Sequence, residues 1–238
     1  MKIIVAPSKT MKYQDYQWEK SQLLFPNETQ YLHHILQQYN DEDLCQLMNI
    51  SYKQALKVYQ YYQQNQQSCC ALSLYQGTVF KQLELEKYHQ HLDYLDHHFR
   101  IMSAYYGILK YNTQITPYRL DMTMKPHQIN LYEYWYTPIY QYFENEDWIV
   151  SLASKEFTDM IHHPNISFID FIEIKDGKPK RNAMIIKKAR GQMLNQMILQ
   201  EIKTKEDLIK LNIDGFVYSK EYSQENTLAF IRTIEKST

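Results

Sequence analysis

The chain has few glycines and cysteines, and it has no long apolar run. Five glycines and seven prolines among 238 residues leave little material for a flexible linker between domains. Three cysteines, Cys45, Cys69 and Cys70, are odd in number and lack a CxxC spacing, so neither a disulfide framework nor a thiolate zinc site is indicated. No window reaches the ~18 apolar residues of a membrane helix. These absences exclude a disulfide-stapled module and a helical membrane protein.

Charge and the first residues narrow the class further. Lys+Arg number 26 and Asp+Glu number 27, so the formal net charge is −1 with neutral His. That balance argues against a protein that is basic throughout, but it leaves room for a local basic cleft. The apolar stretch 2–6 is too short for a secretory signal and runs into Pro7. We therefore expect a cytoplasmic globular protein, monomeric, without a cofactor and without membrane contact.

Predicted strands and helices alternate along the chain. Apolar runs predict strands at 2–6, 148–153, 166–174, 183–186 and 228–234. Helical spacing predicts helices at 27–39, 41–48, 51–64, 92–109, 131–143 and 189–202. Pro138 is expected to break or kink the fifth helix, and Asp176-Gly177 predicts a hairpin that leads into the strand at 183–186. The pattern predicts one mixed α/β (α+β) domain over residues 1–238, with helices around a mixed sheet.

The two helices within about 41–64 are joined by a short polar turn. The frame from Leu47 to Ala55 resembles a helix-hairpin-helix, in which turn amides bind a nucleic-acid phosphate, although Asn49 and Ser51 stand where glycines are usual. A pair of core helices joined by a capped turn has the same pattern. Both interpretations are open at this point.

The strongest local charge lies between Lys175 and Arg190, where seven cations accompany Asp176 as the one anion. Lys187, Lys188 and Arg190 fall where a predicted strand gives way to a predicted helix, and the start of a helix favours anions. A phosphate site is one interpretation, and an ordinary charged helix start is the other. Lys9 would join the same cleft if the first strand lies beside this segment.

Two further arginines stand among apolar residues. Arg100 lies in the predicted helix 92–109, and Arg119 is flanked by Pro117-Tyr118 and Leu120-Asp121. An unpaired buried cation is costly, so each arginine either pairs with a carboxylate or points at a ligand. Asp121 and Glu133 are available as partners. Both interpretations remain open for both arginines.

Signals for catalysis or metal binding are thin. His89, Asp93 and His97 are spaced at i, i+4 and i+8, which is compatible with metal ligation but also with a solvated helix face, so we predict no metal site. The chain has no nucleophile elbow and no glycine-rich phosphate loop. If the protein were an enzyme acting on a nucleotide or another phosphorylated substrate, its reacting groups would be Tyr118, Ser154 and Glu156.

Several motifs, taken in order, resemble those of the YaaA-type peroxide-stress-resistance proteins. The matching segments are Ala6-Pro7-Ser8-Lys9-Thr10, Gly77-x-Val79-Phe80-x-x-Leu83, His98 to Leu109, Pro117 to Met122, Leu131-Tyr132-x-Tyr134-Trp135, Leu152-Ala153-Ser154-x-Glu156-Phe157, Lys187-Lys188-Ala189-Arg190-Gly191 and Gly215-Phe216-x-Tyr218. They extend along almost the whole chain, and their order and spacing make the resemblance specific.

The resemblance implies a cytoplasmic protein that limits iron-dependent damage under peroxide stress. It also implies a single-domain, cantaloupe-like fold with a helix-hairpin-helix and a positive cleft that binds double-stranded and other forms of DNA. Because contacts to the phosphate backbone carry no base information, we expect little sequence preference. The family motifs that carry over to the cleft include Lys9, Arg100, Arg119, Lys187, Lys188 and Arg190, and the hairpin carries over to Asn49 and Ser51. A DNA-binding protein is the first hypothesis, an enzyme for a phosphorylated substrate the second, and iron handling by the histidine cluster the third.

Overall fold

The computed structural model describes residues 1–14 and 16–234, and its centre is a mixed β-sheet. Within these residues the strands are β1 (Lys2–Val5), β2 (Cys69–Cys70), β3 (Phe99–Ser103), β4 (Gly107–Leu109), β5 (Gln114–Ile115), β6 (Ile149–Ser151), β7 (Ile166–Lys175), β8 (Lys178–Lys180), β9 (Val217–Gln224) and β10 (Thr227–Ile234). The main sheet has eight strands in the order β4-β3-β1-β6-β7-β10-β9, and β8 pairs with β7. Strands β2 and β5 form a separate two-stranded sheet.

Helices cover the sheet and connect its strands. They are α1 (Pro26–Gln37), α2 (Asp41–Met48), α3 (Tyr52–Gln63), α4 (Ala71–Leu74), α5 (Leu92–His98), α6 (Leu131–Phe143), α7 (Lys155–Thr158), α8 (Ala183–Leu199) and α9 (Lys205–Leu208). Short 3₁₀ helices occupy Phe80–Gln82, Leu85–Gln90 and Pro126–Gln128. None of the helices in the described residues is long and apolar enough to cross a membrane. The predicted mixed α/β fold is confirmed.

The middle of the main sheet is parallel. Strands β3, β1, β6, β7 and β10 run in one direction, and β4, β8 and β9 pair antiparallel with them. Ile3, Ile4 and Val5 of β1 are completely buried, as expected for a parallel strand with a helix layer on each face. Ile4 of β1 lies opposite Arg100 on one side and Ser151 on the other. Strand β1 is therefore central.

Helix α6 packs its apolar side onto the sheet. The Trp135 side chain is fully buried, and its indole N–H donates to the Ala104 carbonyl oxygen at 2.8 Å. Pro138 lies inside the helix without ending it, so the expected break does not occur. The left-handed backbone of Gly107 (φ +72°) turns the chain beneath this helix, where a Cβ would lie 2.6 Å from the Trp135 ring. This contact explains the glycine at 107.

The prediction of one helix over 92–109 is wrong. Helix α5 ends at His98, and the residues from Phe99 to Ser103 form a fully buried strand beside β1. The segment from Phe99 to Leu109 is buried on every side, whereas an amphipathic helix needs a polar face. Apolar residues spaced by three or four also occur in a continuously buried segment, so the spacing was not diagnostic.

The strand predicted at 183–186 is also wrong, because helix α8 begins at Ala183. The Asn182 side chain caps this helix by accepting the backbone N–H groups of Met184 and Ile185. The hairpin at Asp176-Gly177 is real, but its second strand is Lys178–Lys180. As a consequence, Lys187 lies in the second turn of α8 and not at a helix start.

Candidate functional site

The candidate site lies at the topological switch point of the sheet, where the order of strands reverses on either side of β1. From β1 the chain builds β3 on one side, and it later returns to add β6 on the other side of β1. Because β1 and β6 are parallel, Val5 and Ser151 end at the same sheet edge, and the segments after them diverge. Ligands of open α/β sheets bind in the crevice outside such a switch point. This topology nominates the segments 6–10 and 152–157.

A cavity of about 340 Å³ lies at this crevice, and we call it the switch-point pocket. Its polar lining consists of Ser8, Lys9, Thr10, Thr78, Ser154, Glu156, Lys187 and Arg190. The side chains thus come from the loop after β1, the loop after β6, the segment before the first 3₁₀ helix, and α8. The pocket brings together Lys9, Lys187 and Arg190.

Two glycines allow the walls of the pocket to approach each other. A Cβ on Gly77 would lie 2.4 Å from Ser8 Oγ, and a Cβ on Gly191 would lie 2.3 Å from the Val79 carbonyl oxygen. Both distances are shorter than any ordinary contact. The close approach at Gly191 holds α8 against the 77–82 segment and positions Lys187 and Arg190 at the pocket.

The three cations of the pocket differ in their surroundings. Lys9 is exposed and forms an ion pair with Asp121 at 2.6 Å. Lys187 is exposed. Arg190 is largely buried, and its Nε has no hydrogen-bond partner among the described residues. Burial lowers the pKa of the Arg190 guanidinium, and nearby Asp170 opposes this effect. Arg190 is therefore the cation whose charge the protein satisfies least.

The loop after β6 separates this pocket from a second one of about 390 Å³. Ser151, Ala153 and Lys155 line the second pocket, whereas the alternating residues Leu152, Ser154 and Glu156 line the switch-point pocket. Arg190 lines both. Arg190 is thus at the boundary between two cavities.

A small cavity next to Lys9 contains two further candidates, Tyr118 and Arg119. The Nε of Arg119 is buried without a partner among the described residues. The Tyr118 hydroxyl is hydrogen-bonded to Tyr75 Oη and Ser103 Oγ, each at 2.8 Å. Burial raises the pKa of the Tyr118 phenol, so it stays protonated at neutral pH. Tyr118 is unsuited to act as a base.

Ser154 and Glu156 are accessible from the switch-point pocket. Ser154 precedes the first turn of α7, and Glu156 Oε1 accepts the Met122 backbone N–H at 3.0 Å. One carboxylate oxygen is thereby held in place while the residue lines the cavity. Such a carboxylate can accept a proton from a bound ligand, but the hypothesis of an enzyme stays a prediction.

Three of the six predicted cleft cations, Arg100, Arg119 and Lys188, do not line the switch-point pocket. Arg100 is buried on β3, where its guanidinium donates to Tyr142 Oη and to the carbonyl oxygens of Asp96 (2.7 Å) and Phe99 (2.6 Å). These hydrogen bonds connect Arg100 to neighbouring parts of the fold. Lys188 is exposed and pairs with Asp214 at 3.3 Å. The expected convergence of all six cations in one cleft does not occur.

The backbone N–H groups of the turn between α2 and α3 already donate hydrogen bonds to neighbouring residues of the helix pair. Asn49 adopts a left-handed backbone conformation (φ 48°), and the N–H groups of Asn49 and Ile50 donate to the Cys45 carbonyl oxygen. The Ser51 N–H donates to Gln54 Oε1 at 3.2 Å, which caps α3. A phosphate at this turn would compete with these hydrogen bonds. The helix pair is present, and its role in nucleic-acid binding stays a prediction.

The histidine cluster lacks the register that metal binding requires. His89 belongs to a 3₁₀ helix that ends before α5 begins, so His89, Asp93 and His97 do not share one helical face. His97 Nδ1 is hydrogen-bonded to the Asp93 carbonyl oxygen at 2.7 Å. Among residues 1–14 and 16–234, no three His, Cys, Asp or Glu side chains are grouped so that they could hold a metal ion.

A set of exposed lysines lies on the same edge of the sheet as the pocket. Strand β7 pairs with β6 only as far as Phe168, and residues 169–175 continue past the end of β6. At 3.3 Å per residue, this extension is about 23 Å long. We call the exposed lysines of this hairpin the basic strip: Lys175, Lys178 and Lys180. Arg181, at the base of the hairpin, pairs with Asp170.

The topology and the site define an α/β protein with a polar, cation-bearing pocket at its switch point. The chain belongs to the YaaA family: the family model described as "Peroxide stress protein YaaA" matches residues 1–222. Relatives named "UPF0246 protein" occur in Finegoldia magna, 34% identical over 98% of this chain and 99% of the relative, and in Rickettsia felis, 33% identical over 98% and 100%. The family is one of peroxide stress proteins.

Proposed function

We propose that this protein binds DNA through its phosphate backbone and thereby limits iron-dependent oxidative damage during peroxide stress. The observation that carries the proposal is the basic strip, which puts three exposed lysines at the end of one hairpin of a chain with net charge −1. Membership of a peroxide stress family supplies the cellular context. Because backbone contacts carry no base information, binding has little sequence preference.

The dimensions of the strip suit a duplex better than those of the pocket do. The three lysines lie within about 7 Å of strand length at the outer end of the hairpin, because Lys175 pairs with Lys178 and Lys180 pairs with Glu173. Duplex DNA carries one phosphate per about 1.7 Å of its axis. Several phosphates are thus within reach of flexible lysine side chains along the hairpin. A cavity of about 340 Å³ admits no double helix. On this proposal the duplex lies across the basic strip, outside the pocket.

The test is a salt titration of duplex binding by a Lys178→Ala/Lys180→Ala variant. Each lysine that neutralises a phosphate contributes about 0.9 to the slope of log K against log salt concentration. We expect the slope to fall by about 1.8, equally for duplexes of different sequence. The same variant should protect plasmid DNA less well against nicking by Fe(II) and peroxide.

The matched control is Lys53→Ala/Lys57→Ala on the exposed face of α3, which removes the same charge from the helix pair. On the proposal, this control keeps the slope of the unmodified protein. A slope that falls in the α3 variant but not in the hairpin variant would transfer DNA binding to the α2–α3 turn and refute the role of the basic strip.

A further inference from the structure

The least satisfied charge in the pocket indicates what its ligand must supply. The Nε of Arg190 is buried and has no hydrogen-bond partner among the described residues, although Arg190 lines two cavities. A buried cation is stable only when it is paired and hydrogen-bonded. Asp170 lies close enough to affect Arg190 electrostatically, but Asp170 Oδ2 already accepts two hydrogen bonds from Arg181. An anionic ligand would complete the site.

Hydroxyl groups line the same cavity as Arg190. Ser8 Oγ accepts the Thr10 backbone N–H at 3.1 Å, which leaves the Ser8 O–H able to donate. The hydroxyls of Ser154 and Thr78 belong to the same lining. Gly77 makes room for Ser8, since any Cβ at position 77 would occupy the place of the Ser8 hydroxyl. Guanidinium, ammonium and hydroxyl donors together are typical of a phosphate site.

The balance of charge selects the kind of phosphate. Lys187 and Arg190 provide two positive charges, because Lys9 is neutralised by Asp121 at 2.6 Å. Glu156 adds one negative charge to the lining, with one of its oxygens held by the Met122 N–H. A terminal phosphate carries nearly two negative charges above its second pKa of about 6, whereas a backbone phosphodiester carries one. Two positive charges and one negative charge leave an excess of +1 in the lining, and the more strongly charged monoester interacts more favourably with this excess than a phosphodiester does.

We infer that the switch-point pocket binds a phosphomonoester, with the phosphate against Arg190, Lys187 and the Ser8 hydroxyl. The cavity of about 340 Å³ is within the size range of small-ligand sites, and it admits a nucleotide but no duplex. The monoester belongs either to a free nucleotide or to a phosphorylated DNA end. This site is separate from the contact of a duplex with the lysines of the hairpin.

The experiment is calorimetric titration of the full chain with deoxyadenosine 5′-monophosphate and, in parallel, with deoxyadenosine. We expect binding of the nucleotide only, and at least tenfold weaker binding in Arg190→Gln and in Lys187→Ala. Lys187 is exposed, so its variant keeps the test decisive if Arg190→Gln does not fold. Equal binding of nucleoside and nucleotide, or unchanged affinity in the folded variants, would overturn the inference.

Two further arms separate the sources of the phosphate and separate this site from the basic strip. A single-stranded oligonucleotide is titrated with and without a 5′-phosphate. A phosphate-dependent gain that Arg190→Gln abolishes supports the assignment through a DNA end, and nucleotide binding without such a gain supports it through a free nucleotide. The Lys178→Ala/Lys180→Ala variant should keep its nucleotide affinity. Loss of that affinity in this variant would contradict a separate pocket.

Discussion

The close contact at Gly191 predicts that Gly191→Ala destabilises the protein, although alanine has a higher helix propensity than glycine. Gly191 lies inside α8, where exchanging glycine for alanine ordinarily stabilises a helix by about 1 kcal/mol. Here the new methyl group would lie 2.3 Å from the Val79 carbonyl oxygen and 2.8 Å from Gln82 Cγ. The Gln82 side chain is able to rotate away, but the Val79 oxygen is backbone. We therefore expect Gly191→Ala to force α8 away from the 77–82 segment.

The magnitude follows from two opposing effects. Overpacking a tightly packed site costs about 1–3 kcal/mol, and the upper part of that range applies because a backbone atom must move. Subtracting the gain of about 1 kcal/mol in helix propensity leaves a net loss of about 1–2 kcal/mol. For a chain of this size, that loss lowers the Tm by roughly 2–8 °C. The shifted helix also carries Lys187 and Arg190, so the pocket loses its geometry.

Thermal and urea unfolding of Gly191→Ala measure this loss directly. The control is Met184→Ala on the same helix, where the side chain is 63% exposed and the free energy of unfolding should change by less than about 0.5 kcal/mol. If Gly191→Ala were more stable than the unmodified protein, the helix propensity would have prevailed. The close packing of α8 on Val79, and with it our explanation of the pocket wall, would then be refuted.

Two further predictions concern the pocket wall and pH. Gly77→Ala should lower the Tm because the new Cβ would lie 2.4 Å from Ser8 Oγ. Adding Ser8→Gly should restore most of the lost Tm. A Tm that Ser8→Gly does not restore would contradict this explanation. Burial lowers the pKa of both His33 and His98 below 6.5, so the stability that their neutral forms provide above pH 6.5 is lost as the pH falls below 6.5. Urea unfolding between pH 7.5 and 5.5 should show this decline, and it should be shallower in His33→Gln; identical slopes would refute the assignment.

The sequence predicted helices and strands correctly where residues close together in the chain determine them, as at the N-terminal caps of α2 and α3. Asn40 accepts the Asp43 N–H at the start of α2, and Ser51 precedes α3, so both helices begin within a residue of their predicted starts. The run 2–6 predicted β1 correctly because a strand buried on both faces is continuously apolar. These elements depend on residues close to one another in the chain, and that is why a single sequence sufficed.

The segments that failed depend on the tertiary structure. The residues 99–109 have helical spacing, but they become strands because β1 offers a parallel partner to Phe99–Ser103. Likewise, no local pattern distinguishes Arg100, whose donors meet carbonyl oxygens and Tyr142, from Arg190, whose Nε has no partner among the described residues. The fate of a buried cation is decided by the neighbouring elements, which the sequence alone does not name. No pattern in the sequence indicated the second pocket, because its lining comes from the distant elements β6, β7, α7, α8 and β10.

The run from Lys187 to Arg190 shows how helix geometry divides one cluster of charge between two surfaces. Successive residues of an α-helix are about 100° apart, so positions three apart share a face. Lys187 and Arg190 accordingly both line the switch-point pocket, whereas Lys188 is turned away and reaches Asp214. Had the segment been a strand, Lys188 and Arg190 would have shared a face instead. The secondary structure therefore decides which cations share a surface. Lys187 and Arg190, three positions apart in the helix, line one pocket, whereas the adjacent residues Lys187 and Lys188 do not.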